Sequence, residues 1–153
     1  MDDQRRGVLK AAGAVAVALA AGLLKPLVAF AATWNKDAFG AKNPVDALKG
    51  IGVVETVASK DLMIEAPQIA ENGAVVPIEI TSSIPGTTSI AVVIDKNPFP
   101  LAGKFDFTEG ALPFVKVNLK MGETSEVRAV ATAGNRNYVA TKEIKVTIGG
   151  CGG

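Results

Sequence analysis

Apolar and polar residues alternate with a period of two from about residue 60 to residue 148. Such alternation puts the apolar side chains on one face of an extended chain and predicts half-buried β-strands. Residues 90–94 are apolar throughout, as in a central strand. Six or seven short strands separated by Gly, Pro and Asn turns predict an all-β fold, an immunoglobulin-like antiparallel β-sandwich. The predicted strands cover residues 62–66, 74–81, 89–95, 112–119, 126–132 and 138–148.

The segment before these strands predicts one short helix. Asn43 is a good N-cap, Pro44 suits the first helical position and Gly50 can close the helix. Trp34 and Phe39 lie just before the helix. We interpret these two aromatic residues as packing anchors for the helical segment.

Residues 1–31 have the three-part layout of a signal peptide. A basic start is followed by an alanine-rich apolar stretch over residues 11–24 and by small residues that fit cleavage between Ala31 and Ala32. A retained membrane anchor is the alternative, but so short a stretch does not span the ~30 Å of a bilayer's hydrocarbon core. The predicted organisation is therefore a signal peptide over 1–31, one β domain over 32–148 and a terminal arm over 149–153.

Arg5 and Arg6 resemble the paired arginines of the twin-arginine export signal, although Gln4 and Val8 depart from its commonest form. We therefore expect a periplasmic protein that is exported folded. Folded export usually serves proteins that carry a cofactor, and this sequence has no evident cofactor ligands. The remaining reason for this route is a partner subunit that folds onto the chain and is exported with it.

The composition excludes several kinds of chemistry. The net charge is +1, which predicts no role with nucleic acid or an anionic membrane. The sequence contains no histidine and one cysteine, so His-dependent catalysis, an internal disulfide and multi-cysteine metal sites are absent. Asp95, Asp106 and Glu109 lack metal-ligand spacing and are interpreted as solvated loop charges. We expect neither a cofactor nor an enzyme active site.

The candidate chemistry is in the last residues: Gly149, Gly150, Cys151, Gly152 and Gly153. Glycine gives maximal backbone freedom, so we predict a flexible arm on which the thiol is the only functional group. The cysteine follows the last predicted strand by three residues and can sweep on the order of 10 Å. A buried structural cysteine would instead sit in an apolar pattern and be inert. Cys151 is therefore the predicted working group of a carrier arm, on which the thiol can form a disulfide or a persulfide when an enzyme activates it.

Other readings of this tail remain open. An exported structural or interaction protein could use Cys151 for an intermolecular disulfide. A ubiquitin-like diglycine end could be activated as an acyl adenylate, but that reaction needs ATP outside the cytoplasm and leaves the cysteine unexplained. An enzyme is the third alternative, and a single thiol on a flexible arm is a poor basis for a preorganised active site.

The tail Val-Thr-Ile-Gly-Gly-Cys-Gly-Gly at residues 146–153 resembles the SoxY family, the sulfur-carrier subunits of the bacterial Sox thiosulfate-oxidising system. Residues 66–77, residues 96–101 and the twin-arginine leader are similar to that family as well. The resemblance covers essentially the whole chain after the leader. It implies an immunoglobulin-like sandwich and a heterodimer with a SoxZ subunit.

The resemblance also implies a reaction sequence on Cys151. A c-type haem enzyme joins thiosulfate to the thiol, giving cysteine S-thiosulfonate, and a manganese hydrolase releases sulfate. In some systems a molybdenum–haem sulfane dehydrogenase then oxidises the remaining sulfur, and a second hydrolysis frees the thiol. The carrier itself catalyses none of these steps and presents its intermediate to each enzyme in turn.

Overall fold

The computed structural model describes residues 34–147, and the compact β unit begins at Asn35. This part of the chain forms two short helices and nine strands. The helices are α1 (Lys36–Gly40) and α2 (Pro44–Gly50). The strands are β1 (Val57–Ala58), β2 (Leu62–Glu65), β3 (Ile69–Ala70), β4 (Val76–Ser82), β5 (Thr87–Ile94), β6 (Leu101–Asp106), β7 (Phe114–Leu119), β8 (Ser125–Ala133) and β9 (Arg136–Val146).

The strands form two sheets, which confirms the predicted immunoglobulin-like sandwich. The larger sheet has the order β1-β9-β8-β5-β6, with β3 also paired to β9, and the smaller sheet has the order β2-β4-β7. All pairs are antiparallel except β1 and β3, which run parallel to β9. These two strands have two residues each, too few to leave an alternating pattern in the sequence. The sequence therefore did not predict β1, β3 or their parallel pairing with β9.

The main core lies between the two sheets. Alternate residues of β4 face alternate residues of β5 and β8, as their period of two requires. Burying an Ile or Val side chain of this kind contributes about 1.5–3 kcal/mol. The largest fully buried members of the main core are Ile78, Ile80, Ile90, Ile94, Ile144, Val76, Val92 and Val127.

Strand β5 is buried on both faces, which explains its unbroken apolar run. Its inner face joins the main core, while Ala91 and Val93 point into a second cluster on the outer face of the larger sheet. Ala38 of α1 and Ala47 of α2 belong to that second cluster and are fully buried. β5 pairs with both β8 and β6, so the central strand predicted from residues 90–94 is confirmed.

The start of α2 is as predicted. The Asn43 side chain accepts a hydrogen bond of 2.9 Å from the Asp46 amide, and Pro44 occupies the first turn. The helix ends at Gly50, but the residue with the left-handed backbone that follows is Gly52, with φ of 82°. Gly50 has another role, because a Cβ there would lie 2.8 Å from the Cα of Ala38 in α1. Its missing side chain lets the two helices touch.

Helix α1 and strand β6 were not predicted. α1 has five residues and depends on Asn35, which caps it and donates a 2.7 Å hydrogen bond to the Gly50 carbonyl. β6 pairs with β5, but its sequence contains Gly103 and a lysine and does not alternate clearly between apolar and polar residues. The period of two therefore did not indicate this strand. Phe39 packs against the helical cluster as predicted, whereas Trp34 is 66% exposed.

The two ends of the sandwich differ, and we name them by β9. The exit end is where β9 finishes, and the distal end is where β9 begins. The exit end contains Thr147, the connections over residues 95–100 and 120–124, and the 66–75 connection, which includes the two-residue strand β3. The distal end contains the connections over residues 59–61, 83–86, 107–113 and 134–135.

Candidate functional site

The predicted attachment residue, Cys151, comes four residues after Thr147 in the sequence, and Thr147 lies at the exit end. Cys151 and the glycines of the predicted arm, Gly149, Gly150, Gly152 and Gly153, lie outside the described residues, as do Arg5, Arg6, Ala31 and Ala32 of the predicted leader. β9 ends at Val146, and Thr147 is the last residue that the structure describes. The described part of the candidate site is therefore the group of residues that holds Lys145, Val146 and Thr147.

One side of this segment is bonded to the β3 region. The Lys145 amide donates to the Gln68 carbonyl at 3.0 Å, and the Thr147 amide donates to the Ala70 carbonyl at 3.1 Å. Ala70 is the register partner of Val146 in the parallel pair. Both distances are those of ordinary backbone hydrogen bonds, so β3 continues the sheet to the last described residue.

The other side is bonded to a side chain. The ladder between β8 and β9 ends at the Ser125–Ile144 pair, one residue short of Lys145. The Val146 amide donates instead to the hydroxyl Oγ1 of Thr124 at 3.0 Å. The same hydroxyl lies 3.5 Å from the Val146 carbonyl oxygen, at the long limit for donation. The threonine hydroxyl thus supplies an acceptor where the backbone ladder has stopped.

Gly73 closes the exit end from a third direction. Its carbonyl accepts a hydrogen bond of 2.7 Å from the Met121 amide. A Cβ added at Gly73 would lie 2.4 Å from the Met121 carbonyl oxygen and 2.8 Å from Cγ1 of Val146. Only glycine permits so close an approach, because real Cβ contacts at these distances do not occur. Asn72 shapes this loop by accepting a 2.9 Å hydrogen bond from the Ala74 amide.

Two further polar side chains join the loops of the exit end. The Asn97 side chain donates to the Lys120 carbonyl at 2.8 Å and accepts from the Gly122 amide at 3.4 Å. Ser125, which is 2% exposed, accepts a 3.1 Å hydrogen bond from the Lys96 amide. These bonds connect residues that are more than twenty positions apart in the sequence. The loops therefore hold one another in place.

The two internal segments that carry the family resemblance meet in this region. Residues 66–77 supply Gln68, Ala70 and Gly73, which contact the β9 end and Met121. Residues 96–101 supply Asn97, which contacts the 120–124 turn. The sequence pattern did not single out Thr124, whose role depends on where the β8–β9 ladder stops. Its contact with Val146 could be found only from the fold.

Apolar side chains are exposed at the same end. Ile69, Val75 and Phe99 are each about half exposed. The ammonium of Lys42, from the connection between the helices, lies 3.5 Å from the centre of the Phe99 ring, a cation–π contact. This contact links the helical layer to the 95–100 loop, and the exit end exposes apolar side chains to solvent.

The carboxylates considered from the sequence do not come together. Asp95 accepts two hydrogen bonds from the Arg128 guanidinium, and Asp106 forms an ion pair with Lys104. In residues 34–147, no group of three or more His, Cys, Asp or Glu side chains could hold a metal ion. On the smaller sheet, the Glu79 carboxylate accepts a hydrogen bond from Lys116 and raises the pKa of that lysine.

Two open clefts lie toward the distal end. One, of about 430 Å³, runs between residues 52–57 and the start of β9 and includes Arg136 and Tyr138. The other, of about 560 Å³, lies between the 82–88 turn and the 107–113 loop. Neither cleft is lined by residues of the exit end. No helix in the described range is long and apolar enough to cross a membrane.

Comparisons with known proteins address the whole domain. The structure is similar to that of the sulfur carrier protein SoxY from Chlorobium limicola f thiosulfatophilum, with a TM-score of 0.64 and 35% sequence identity. The similarity covers 74% of this chain and 100% of that chain. A search of curated proteins found no match. Residues 35–151 match the family described as Sulfur oxidation protein SoxY, and this chain belongs to the SoxY family.

Proposed function

We propose that this chain is a periplasmic sulfur carrier that binds thiosulfate-derived sulfur covalently on Cys151. The observation that supports this most is the extent of the family match, which runs through residue 151 and so includes the only cysteine of the sequence. The similar solved structure is also described as a sulfur carrier protein. In this proposal residues 149–153 form a flexible glycine arm that presents the thiol to enzymes.

The chemistry on the thiol proceeds in balanced steps. In the first step the S–H bond of Cys151 breaks, an S–S bond to thiosulfate forms, a proton is released and an electron pair passes to a c-type haem enzyme. In the second, a manganese hydrolase breaks the bond to the terminal sulfonate, and water supplies the oxygen of the sulfate released. A persulfide remains on Cys151 as the substrate of a sulfane dehydrogenase, where one exists.

The carrier itself is proposed to be non-catalytic. The sequence has no histidine to act as a general base at neutral pH, and its single thiol is the substrate's attachment point. The covalent bond keeps the intermediate at high local concentration while the enzymes exchange. The half-exposed apolar side chains Ile69, Val75 and Phe99 support contact between the exit end and such partners.

Export and assembly are part of the same proposal. Residues 1–31 direct twin-arginine export, cleavage before Ala32 gives the mature protein, and a SoxZ subunit pairs with the folded domain. The N-terminal sequence of protein from the periplasmic fraction should begin at Ala32. Replacing Arg5 and Arg6 together by lysine should leave uncleaved protein in the cytoplasm. Periplasmic accumulation of that variant would contradict the twin-arginine route.

The experiment that tests the carrier function is intact mass spectrometry of protein from thiosulfate-grown cells, before and after a reductant. We expect an adduct of thiosulfate or of sulfur that the reductant removes and that is absent in Cys151→Ser. Thiosulfate oxidation should be lost in that variant. An unmodified thiol together with intact oxidation in Cys151→Ser would reject the proposal, and disulfide-linked species alone would favour a structural role for Cys151.

A further inference from the structure

We propose that Thr124, together with β3 and Gly73, clamps the end of β9 and makes Thr147 the fixed pivot of the carrier arm. Thr124 is a positioning residue in this proposal, since it acts on the thiol through the backbone of Val146. The inference rests on the proposed function, because the pivot matters only if Cys151 carries a substrate.

The hydrogen bonds of the last three described residues alternate between the two sides of β9. The Lys145 and Thr147 amides donate to Gln68 and Ala70 on the β3 side. The Val146 amide points the other way and donates to Thr124 Oγ1. A strand end without such partners frays, because few interactions oppose its backbone entropy. Here three successive amides are bonded, so the ordered chain continues past the end of the β8–β9 ladder.

Packing reinforces the hydrogen bonds. Cγ1 of Val146 lies so close to Gly73 that a Cβ there would approach it to 2.8 Å. Gly73 is in turn bonded to Met121, in the connection that leads to Thr124. The 66–75 and 120–124 connections therefore close on the β9 end together. These contacts are made by backbone atoms and by the short β-branched side chains of Thr124 and Val146, which have few rotamers, so the pivot point is stiff.

A fixed pivot defines where the thiol can work. Cys151 is four residues beyond Thr147, so its Cα can reach about 13–14 Å from that residue when the chain is extended. Release of residues 145–147 would lengthen the tether by about 10 Å. The effective concentration of a tethered group falls roughly as the −3/2 power of tether length, which gives about a twofold loss for seven residues instead of four. The clamp therefore keeps the arm short.

A matched pair of substitutions isolates the hydroxyl. Thr124→Val keeps the branched shape and removes the hydrogen bond, whereas Thr124→Ser keeps the hydroxyl. Thr124 is only partly buried, so neither change threatens folding. Both should be made in the full chain, purified with any partner subunit that accompanies it.

The direct readout is hydrogen exchange of backbone amides. In Thr124→Val we expect the Val146 amide to exchange about fivefold faster, since a typical hydrogen bond contributes about 1 kcal/mol. The Thr147 amide should follow, while amides in the β5–β8 ladder should not change. Thr124→Ser should behave as the unmodified protein. Unchanged exchange at Val146 in Thr124→Val would overturn the proposal.

A second readout follows the thiol itself. Nitroxide labels on Cys151 and on an added cysteine at exposed Lys60, in the distal end, give a distance distribution by double electron–electron resonance. We expect this distribution to broaden toward longer distances in Thr124→Val, by less than the ~10 Å of full release because the bonds to β3 remain, with Thr124→Ser restoring it. A purely structural threonine would leave the distribution unchanged, and that result would also overturn the pivot.

The failures of the two proposals can be told apart. If the sulfur adduct forms on Cys151 while amide exchange and label distances are unchanged in Thr124→Val, the carrier function is supported and the pivot is rejected. If exchange and distances respond but no sulfur adduct ever forms on Cys151, the clamp of β9 remains and its role in sulfur transfer is rejected.

Discussion

The two ends of the sandwich are built in different ways. At the distal end the chain turns through glycines with positive φ, at Gly86, Gly110 and Gly134, and a Cβ on any of these would meet open space. At the exit end Gly73 is needed because two other segments press against it. Distal turns satisfy a local backbone requirement, whereas the exit end is a set of contacts between distant parts of the sequence.

Because the two ends are built differently, substitutions at both can change the free energy of unfolding, but only those at the exit end should change the position of the β9 end. A change in a distal turn alters the conformational free energy of that turn and leaves the β9 end bonded as before. A change at the exit end alters the free energy of unfolding and also the bonds that hold Val146 and Thr147. Substitutions at the two ends with similar costs in stability should therefore differ in their effects on Cys151.

The largest effect is expected for Gly73→Ala. The added methyl group must displace the Met121 carbonyl or Val146, and overpacking of this kind typically costs 1–3 kcal/mol, so we expect about 2–3 kcal/mol. Urea unfolding of the full chain measures this cost, and exchange at the Thr147 amide should accelerate in the same variant.

Gly122→Ala is the matched control at the same end. Gly122 lies in the neighbouring connection and has open space around it, so its alanine variant should stay within about 0.5 kcal/mol of the unmodified protein. Equal destabilisation by the two alanines would show that the close approach at Gly73 does not exist.

The next largest effect is expected at the distal end for Gly86→Ala. Gly86 has φ of 73°, and a left-handed backbone costs a non-glycine residue about 1–2 kcal/mol. Unfolding should be easier by that amount, while amide exchange at Val146 and Thr147 stays as in the unmodified protein. Faster exchange at those amides under native conditions would mean that the two ends are coupled and do not respond separately.

The sequence predicted turns at both ends of the sandwich, but it did not predict the contacts that hold the end of β9. Turns marked by Gly, Pro or Asn lie at residues 84–86 and 134–135 of the distal end and at residues 71–73, 97–100 and 121–122 of the exit end. Strand β3 has two residues, and its parallel pairing with β9 joins positions more than seventy residues apart. No local pattern records such a contact. The period of two therefore predicted the strands that form the main core, but it did not predict the pairing and contacts around the end of β9.

The candidate site divides in the same way. Cys151 was predicted from composition, because a lone thiol among four glycines is recognisable without any structure. Thr124 and Gly73 were not predicted, since a threonine and a glycine in turn-like segments have many ordinary roles. Their function follows from where the β8–β9 ladder ends and from what approaches Gly73. The prediction for Cys151 itself is still to be tested by the mass of its adducts.

A smaller effect is expected for Asn97→Ala at the exit end. This change removes the 2.8 Å donation to the Lys120 carbonyl and the longer bond from Gly122, both near solvent, so we expect a loss of about 1 kcal/mol. Asn97→Asp keeps an acceptor for Gly122 and loses the donor. Because the retained bond from Gly122 is long, at 3.4 Å, the aspartate variant should lose nearly as much stability as alanine in urea unfolding. A fully stable aspartate variant would show that the donation to Lys120 contributes nothing.

The smallest effect is expected for Lys42→Met, which removes the cation from the Phe99 ring and keeps most of the aliphatic side chain. Cation–π contacts at exposed sites contribute about 0.5–1 kcal/mol. Lys60→Met, at an exposed lysine of the distal end, serves as the control for loss of a charge.

The decisive measurement is a double-mutant cycle of Lys42→Met with Phe99→Leu by urea unfolding. A coupling free energy of about 0.5 kcal/mol would show that the helical layer stabilises the exit end through Phe99, because the 95–100 loop also carries the Asn97 bonds to the 120–124 turn. A coupling indistinguishable from zero would mean that only the 66–75 and 120–124 connections hold the end of β9.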